Sequence, residues 1–303
     1  MSSHPIKSKG RLKKYLSKKE AIRASVVDMT DLVAETCQLQ KTSPASSVAL
    51  GRLLVGAVLV SSQLKDEQAI SFQISGNKTI RKVFAHAQYD GLCRAFISEK
   101  QAPFSVQKGH FALAPLFDGG LLQATTFIPS HKQPHTTQLQ LVSGEIGEDI
   151  AHYLNQSCQI PCIISLAVKI GSEGKVLYAG GVLVELMPGH SEATLQKIEA
   201  QQKNATVLSG LMEQTGDFKQ WLANYLGDIE MEEIATNKVT YHCTCSKEKA
   251  SVSIAMLPNE DFMEIFDEGQ NINVDCEMCG LVYNFNMDEV SYIYKNSGKA
   301  SIH

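Results

Sequence analysis

The chain has 303 residues, 44% of them hydrophobic and 20% charged, with a formal net charge of −4. The length exceeds what one compact core usually fills, so two or more units are expected. The composition is that of an ordinary soluble globular protein. The longest apolar run, Val48 to Val60, is interrupted by Arg52 and is too short to span a bilayer. Its small residues suit a buried helix, and no membrane partner is expected. No charged start, apolar core and small-residue cleavage site marks a secretory leader, so the cytoplasm is the expected location. The first twenty residues hold seven Lys/Arg against Glu20, which leaves 21 basic and 31 acidic residues, net −10, in the rest. The basic arm is expected to be a solvated end. The acidic remainder argues against nucleic acid as the main partner.

In chain order, Thr30 or Asp31 begins a helical pattern through Leu32, Val33 and Cys37. Ser43-Pro44 opens a second helix with Val48, Leu50, Leu53, Leu54 and Ala57 on its apolar face. Strand-like runs follow at Ala69–Ile74, Lys82–Gln88 and Gly91–Ile97, with further strands at Leu122–Phe127 and Gln138–Leu141. Glu145 to Gln156 reads as a helix, and Ile163–Ile170 and Gly181–Met187 as strands. Composition changes at Pro188-Gly189. Ser191 is placed to cap a long polar-rich helix carrying Leu195, Ile198, Leu208, Leu211 and Met212. After Gly216 a second helix starts at Asp217, with Phe218, Trp221, Leu222, Tyr225, Leu226 and Ile229 at helical spacing. This stripe is expected to pack on a neighbouring domain at rest. A short helix after Leu257-Pro258-Asn259, a strand at Leu281–Phe285 and a helix from Asp288 complete the chain.

The expected class is α+β: an N-terminal α/β core domain (1–187), a helical linker (188–236) and a small C-terminal metal-binding domain (237–303). From Thr236 on there are five Lys and ten acids, net −5. So short a domain buries little core, and a metal tie is expected to hold it.

Eight cysteines in a reduced compartment read as metal ligands, redox groups or small buried side chains. Cys243-Thr244-Cys245, thirty residues, then Cys276-Glu277-Met278-Cys279-Gly280 is strong spacing for one zinc ion on four thiolates. His242 is a rival ligand, but four sulfurs already fill a tetrahedron. A plain structural ribbon would usually separate its first pair by two to four residues, whereas one residue separates Cys243 from Cys245. A disulfide across that gap closes a strained, easily reduced ring, and metal-held thiolates are in the form that reacts with peroxide. Spacing alone leaves a redox switch and a constitutive zinc-stapled interaction module both open. Cys37 and Cys93 are expected to be buried, and Cys158 and Cys162, flanking Pro161, to be structural.

Catalytic readings are weaker. His190-Ser191-Glu192 with Cys276-x-x-Cys279 imitates a zinc deaminase, but Asp275 replaces the usual proline and Cys243 and Cys245 would be idle. Gly76-Asn77-Lys78-Thr79 lacks the leading glycine of a phosphate loop, and Gly171–Lys175 is followed by Val176 where a hydroxyl is needed. No Gly-x-Ser-x-Gly elbow is present. The chain is expected not to be an enzyme.

Beyond the cysteine layout, Lys41-Thr42-Ser43-Pro44 leads into Ala49-Leu50-Gly51-Arg52-Leu53-Leu54. Leu141 to Ile150, Ser157 to Leu166 and Gly180-Gly181-Val182 are similarly distinctive. In these segments the chain resembles the redox-regulated holdase chaperones, the thirty-three-kilodalton heat-shock proteins, from about Ile22 onward. The resemblance implies an inactive reduced monomer with zinc on Cys243, Cys245, Cys276 and Cys279. It implies that oxidant links Cys243 with Cys245 and Cys276 with Cys279 and releases the zinc. The C-terminal domain and linker then unfold, and the chain dimerises and holds unfolded client proteins without ATP. Clients pass on to ATP-dependent foldase chaperones. Leu195, Ile198, Leu208, Leu211, Phe218, Trp221, Leu222 and Tyr225 are the expected client-binding residues.

Overall fold

The computed structural model describes residues 6–104, 106–107, 110–204, 207–269 and 271–296. The basic arm is not a solvated end: Lys9–Ser17 is a strand, β1, in the interior of a ten-stranded sheet. Gly10, Leu12 and Tyr15 are buried there, while Lys9 and Arg11 remain exposed and Lys13 reaches Glu233 at 2.8 Å. Alternation, not net charge, decides the matter, because a strand presents its charged residues on one side. β1 turns into β2 (Ile22–Asp28), and two helices follow, α1 (Thr30–Gln40) and α2 (Pro44–Ser61). Ser43 caps α2 by accepting from Ser46 N–H, with Pro44 in the first turn. By length and composition α2 is apolar enough to cross a membrane, yet 89% of that window is buried inside the protein.

Strands β3 (Ala69–Gly76), β4 (Lys82–Gln88) and β5 (Leu92–Ile97) form a meander. A short hairpin, β6 (Val106–Gln107) and β7 (His110–Phe111), and a single turn, α3 (Ala114–Phe117), lead to β8 (Gly120–Phe127) and β9 (His135–Gln140). Helix α4 (Gly147–Cys158) precedes β10 (Cys162–Ile170) and β11 (Val176–Leu186). The distinctive Leu141–Ile150 segment builds a buried anchor. Asp149 accepts from the Val142, Ser143 and Ile146 N–H groups, and Glu145 from Leu113 N–H and from Arg52 at 2.7 Å. A carboxylate so bonded orders its loop and ties it to α2.

The long polar-rich helix expected after Ser191 is two helices, α5 (Glu192–Asn204) and α6 (Leu208–Gln214), followed by α7 (Phe218–Leu226). Strand β12 (Glu232–Tyr241) then enters the sheet, whose order is β10-β11-β2-β1-β12-β5-β4-β3-β8-β9. A domain boundary at 236/237 would fall inside β12. The chain divides instead into a unit spanning Ile6–His242 and a second beginning at Cys243. The helical segment therefore belongs with the sheet. The reason is its stripe: Ile198, Leu208, Phe218, Trp221, Leu222 and Tyr225 are buried against Ile22, Ala24 and Val26 of β2 and Val182, Val184 and Leu186 of β11. Leu195 and Leu211 are partly buried in the same cluster. Helix α2 packs on the opposite face, where Gly181 lets Val55 and Leu59 approach.

The sheet has two antiparallel halves. They join where β12 runs parallel to β5, at Thr240↔Leu92 and Tyr241↔Cys93. Gly91, at φ +89°, makes the abutment possible, since a Cβ there would lie 2.4 Å from the Lys238 carbonyl oxygen. On β4, His86 Nδ1 lies 2.8 Å from Ser71 Oγ, and burial together with nearby Arg94 lowers its pKa to about 4. The unfolded chain protonates this histidine near pH 6.5. Its stabilising contribution is therefore complete above that pH and is lost as pH falls from 6.5 towards 4. Denaturant titrations across this window should show a shallower acid slope for His86→Gln than for the unchanged chain; equal slopes refute the assignment.

Candidate metal centre

The second unit is small. Helices α8 (Lys247–Ala255), α9 (Asn259–Glu268) and α10 (Met287–Asn296) surround a hairpin of β13 (Ile272–Asp275) and β14 (Val282–Phe285). Its buried cluster is Ile254, Phe262, Phe285 and Val290, with Tyr294 stacked on Phe262 at 3.8 Å. Lys247 joins α8 to α10 through Glu289 at 2.6 Å. So slight a core leaves little hydrophobic free energy to offset chain entropy.

Two turns converge beside it. Cys243 and Cys245 lie between β12 and α8, where Ser246 caps the helix by accepting from Lys249 N–H. Cys276 and Cys279 occupy the turn between β13 and β14. That turn is closed by Gly280 N–H to Cys276 O at 2.8 Å and Cys276 N–H to Leu281 O at 2.9 Å. Gly280 takes φ +66°, which a side chain would strain. The four Sγ atoms lie within 4.8 Å of one another. Cys243 and Cys276 are 3.7 Å apart, and Cys245 and Cys279 are 3.4 Å apart. Tetrahedral coordination with metal–sulfur bonds of about 2.3 Å needs sulfurs about 3.8 Å apart, so the donor set fits a metal ion. His242 is exposed and outside the set.

The sulfurs differ in how readily they ionise. Cys276 is held below the usual thiol range by hydrogen bonds from Cys243 and Cys279. The bond to Cys276 pushes Cys243 up to about 11, and Cys279 is raised through its bonds to Cys243 and Cys276. One thiolate thus shares its neighbours' protons, and metal binding must displace them. Lys249 Nζ bonds the Thr244 carbonyl at 2.5 Å, bringing positive charge beside the first pair. Tyr283 Oη donates to Cys245 Sγ at 3.1 Å. No signal in a single sequence marks Tyr283, because an aromatic residue on a strand reads as packing. Groups that bond a ligand atom fix its orientation and tune its basicity. Tyr283→Phe is expected to weaken metal retention about tenfold against a chromophoric chelator. Unchanged retention would show that this hydroxyl is a bystander.

The remaining cysteines are apart from this cluster. Cys37 and Cys93 are buried, and desolvation raises the pKa of both. Cys158 is exposed at the end of α4, and Cys162 is half-buried at the start of β10.

A ten-stranded sheet with a helical cover, followed by a small four-cysteine unit, defines the class of protein that the comparisons then specify. The family model described as Hsp33 protein matches residues 10–286, which brings most of the basic arm inside the family. The 33 kDa chaperonin of Aquifex aeolicus is 31% identical over 93% of this chain and 89% of its own length. That of Desulfotalea psychrophila is 32% identical over 85% and 88%. The crystal structure of the 33 kDa chaperonin from Thermotoga maritima superposes with a TM-score of 0.84 at 28% identity, covering 94% of this chain and 97% of that one. The chain belongs to the Hsp33 family of chaperonins.

Proposed function

We propose that this chain is a redox-regulated, ATP-independent holdase chaperone of the cytoplasm, inactive when reduced and zinc-bound. The observation that carries the reading is the convergence of four thiols within 4.8 Å in a unit with almost no core of its own. When bound, zinc supplies the charge that keeps all four sulfurs ionised and the tie that holds the two turns together. Tyr283 and Lys249 orient and partly neutralise the sulfurs. Two equivalents of peroxide oxidise the four thiols to two disulfides, Cys243 with Cys245 and Cys276 with Cys279, giving four waters and removing the ligands. The small unit then loses its main tie, and the α5–α7 cover loosens from the sheet. Leu195, Ile198, Leu208, Leu211, Phe218, Trp221, Leu222 and Tyr225 become available to apolar segments of unfolding proteins. The activated chain dimerises, and clients are later released to ATP-dependent foldases. The acidic surface keeps such complexes soluble.

One oxidation time course tests this. Zinc release and suppression of aggregation of a thermally unfolding client should rise together under peroxide with mild heat. Equal suppression by reduced and oxidised protein would instead identify a constitutive zinc-stapled interaction module.

A further inference from the structure

The loop between α4 and β10 carries two cysteines that the metal centre does not use. α4 ends at Cys158, and β10 begins at Cys162. Gln159 takes the left-handed conformation at φ +55°. The Leu154 carbonyl accepts from Gln159 N–H and also from Ile160 N–H, the latter at 3.0 Å. These bonds turn the chain back at the end of the helix. The Pro161 carbonyl then accepts from Leu186 N–H at 3.0 Å, which starts the pairing of β10 with β11 and sets Cys162 opposite Glu185. Cys158 and Cys162 are thus the two ends of one tight reversal, with only Gln159, Ile160 and Pro161 between them. None of these three belongs to a helix or strand, so the segment can bring the two sulfurs together without breaking either element.

The two thiols are unequal. Cys158 is exposed, and the Tyr153 hydroxyl hydrogen-bonds its sulfur. Cys162 is half-buried; burial first, then the negative charges of Glu185 and Cys158, push its pKa up to about 12. The charge of one sulfur therefore reaches the other across the turn. An oxidant from solution meets Cys158, while Cys162 keeps its proton and is shielded. Both lie in the unit Ile6–His242, whereas the metal ligands begin at Cys243.

We propose that Cys158 and Cys162 form a second, metal-free oxidation site, in which Cys158 takes up peroxide and Cys162 closes a disulfide that ties the end of α4 to the start of β10. The Cys158 sulfur attacks one peroxide oxygen, the O–O bond breaks, and a sulfenic acid and water result. The neutral sulfenic acid no longer opposes ionisation of Cys162. The Cys162 sulfur attacks the Cys158 sulfur; the S–S bond forms as the S–O bond breaks, and the Cys162 proton leaves with the hydroxide as a second water. Two thiols are oxidised and one peroxide is reduced. The bridge acts on the sheet: β10 is its outermost strand, and Ser165 and Ala167 of β10 meet the helical cover. On the proposed loosening of that cover, a bridge at the first residue of β10 holds the edge strand in place.

Residues 133–169 form one tryptic peptide that contains these two cysteines and no others. In the test, full-length, reduced, zinc-loaded protein is treated with hydrogen peroxide, alkylated under denaturing conditions and digested. The peptide should lose two hydrogens and escape alkylation at both positions, and dithiothreitol should restore both thiols. In Cys158→Ser, the Cys162 thiol should be consumed at least about tenfold more slowly. In Cys162→Ser, Cys158 should advance to sulfinic acid or link two chains, because no partner closes the ring. Zinc release, followed in the same samples, should keep its time course in both variants. Recovery of both thiols alkylated overturns the proposal, as does sulfinic acid at Cys158 beside an alkylated Cys162 in the unchanged chain. A bridge from either cysteine to one of the four metal ligands, or slowed zinc release in a variant, overturns the metal-free assignment. Undiminished loss of the Cys162 thiol in Cys158→Ser overturns the order of attack. If zinc stays bound while the 158–162 bridge forms, the metal switch fails and this site stands; if zinc leaves and no bridge forms, the reverse holds.

Discussion

Cys279→Ser is expected to cost the reduced protein its metal and most of the order of the unit that begins at Cys243. Cys279 is the one ligand candidate with no exposed surface, so solvent water has no ready access to its place. A serine oxygen is a poor substitute for a soft thiolate, and the three remaining sulfurs cannot complete a tetrahedron. Structural zinc contributes roughly 10–16 kcal/mol of apparent binding free energy in small domains, more than the roughly 6–12 kcal/mol that the four buried side chains supply before chain entropy is subtracted. Metal analysis of the purified variant should find less than a stoichiometric ion. Hydrogen exchange should find the amides of α8, β13, β14 and α10 close to unprotected. The sheet should remain folded, because Ile6–His242 carries its own core. A variant that keeps both the metal and these protected amides would refute the role given to the four sulfurs. On the proposed function it should also hold clients without oxidant.

Trp221→Ala should have the second large effect, and a different one. The indole is 1% exposed, tilts against Phe218 at 4.9 Å between ring centroids, and donates from Nε1 to the Thr215 carbonyl at 2.9 Å. Truncating a buried aromatic of this size costs about 3–5 kcal/mol. That loss falls on a cover whose polar and ring anchors to the rest of the unit are isolated long-range contacts, among them Tyr225 to Ser165 at 2.8 Å, Arg11 over the Phe218 ring at 4.4 Å, and Thr194 to Glu20 at 2.6 Å. Exchange should accelerate across α5–α7 while the four-cysteine site keeps its metal. The reduced variant should bind a hydrophobic dye and suppress client aggregation without peroxide. If the cover opens but no client is held, the stripe is not the client surface.

Much of this arrangement was legible in the residues. Lys82–Gln88 reads as a strand and is one with those bounds, its burial alternating from residue to residue. Ser43-Pro44 marks the start of α2. The cysteine spacing located the metal centre because coordination chemistry permits few spacings. What escaped was non-local. β1 and β12 are rich in Lys and Glu, and their strand character is evident only when the two are paired. The helix α8 reads as polar because most of its side chains are exposed. Tyr283 acquires its meaning from Cys245, which lies 38 residues earlier in sequence.

The position of β1 has a consequence for synthesis. Its lateral partner is the last strand of the sheet to be made, with Lys13 and Glu233 separated by 220 residues. At ordinary rates of chain elongation β1 waits many seconds with that side open, when only β2 can cover the other. An open, apolar strand edge on a nascent chain invites pairing with its neighbours on the same messenger. Lys9, Arg11, Lys13 and Lys14 place like charges along this edge, so adjacent nascent copies repel one another until Glu232 and Glu233 arrive to neutralise it. The charges of β1 thus guard this chain against its own aggregation while it is being made.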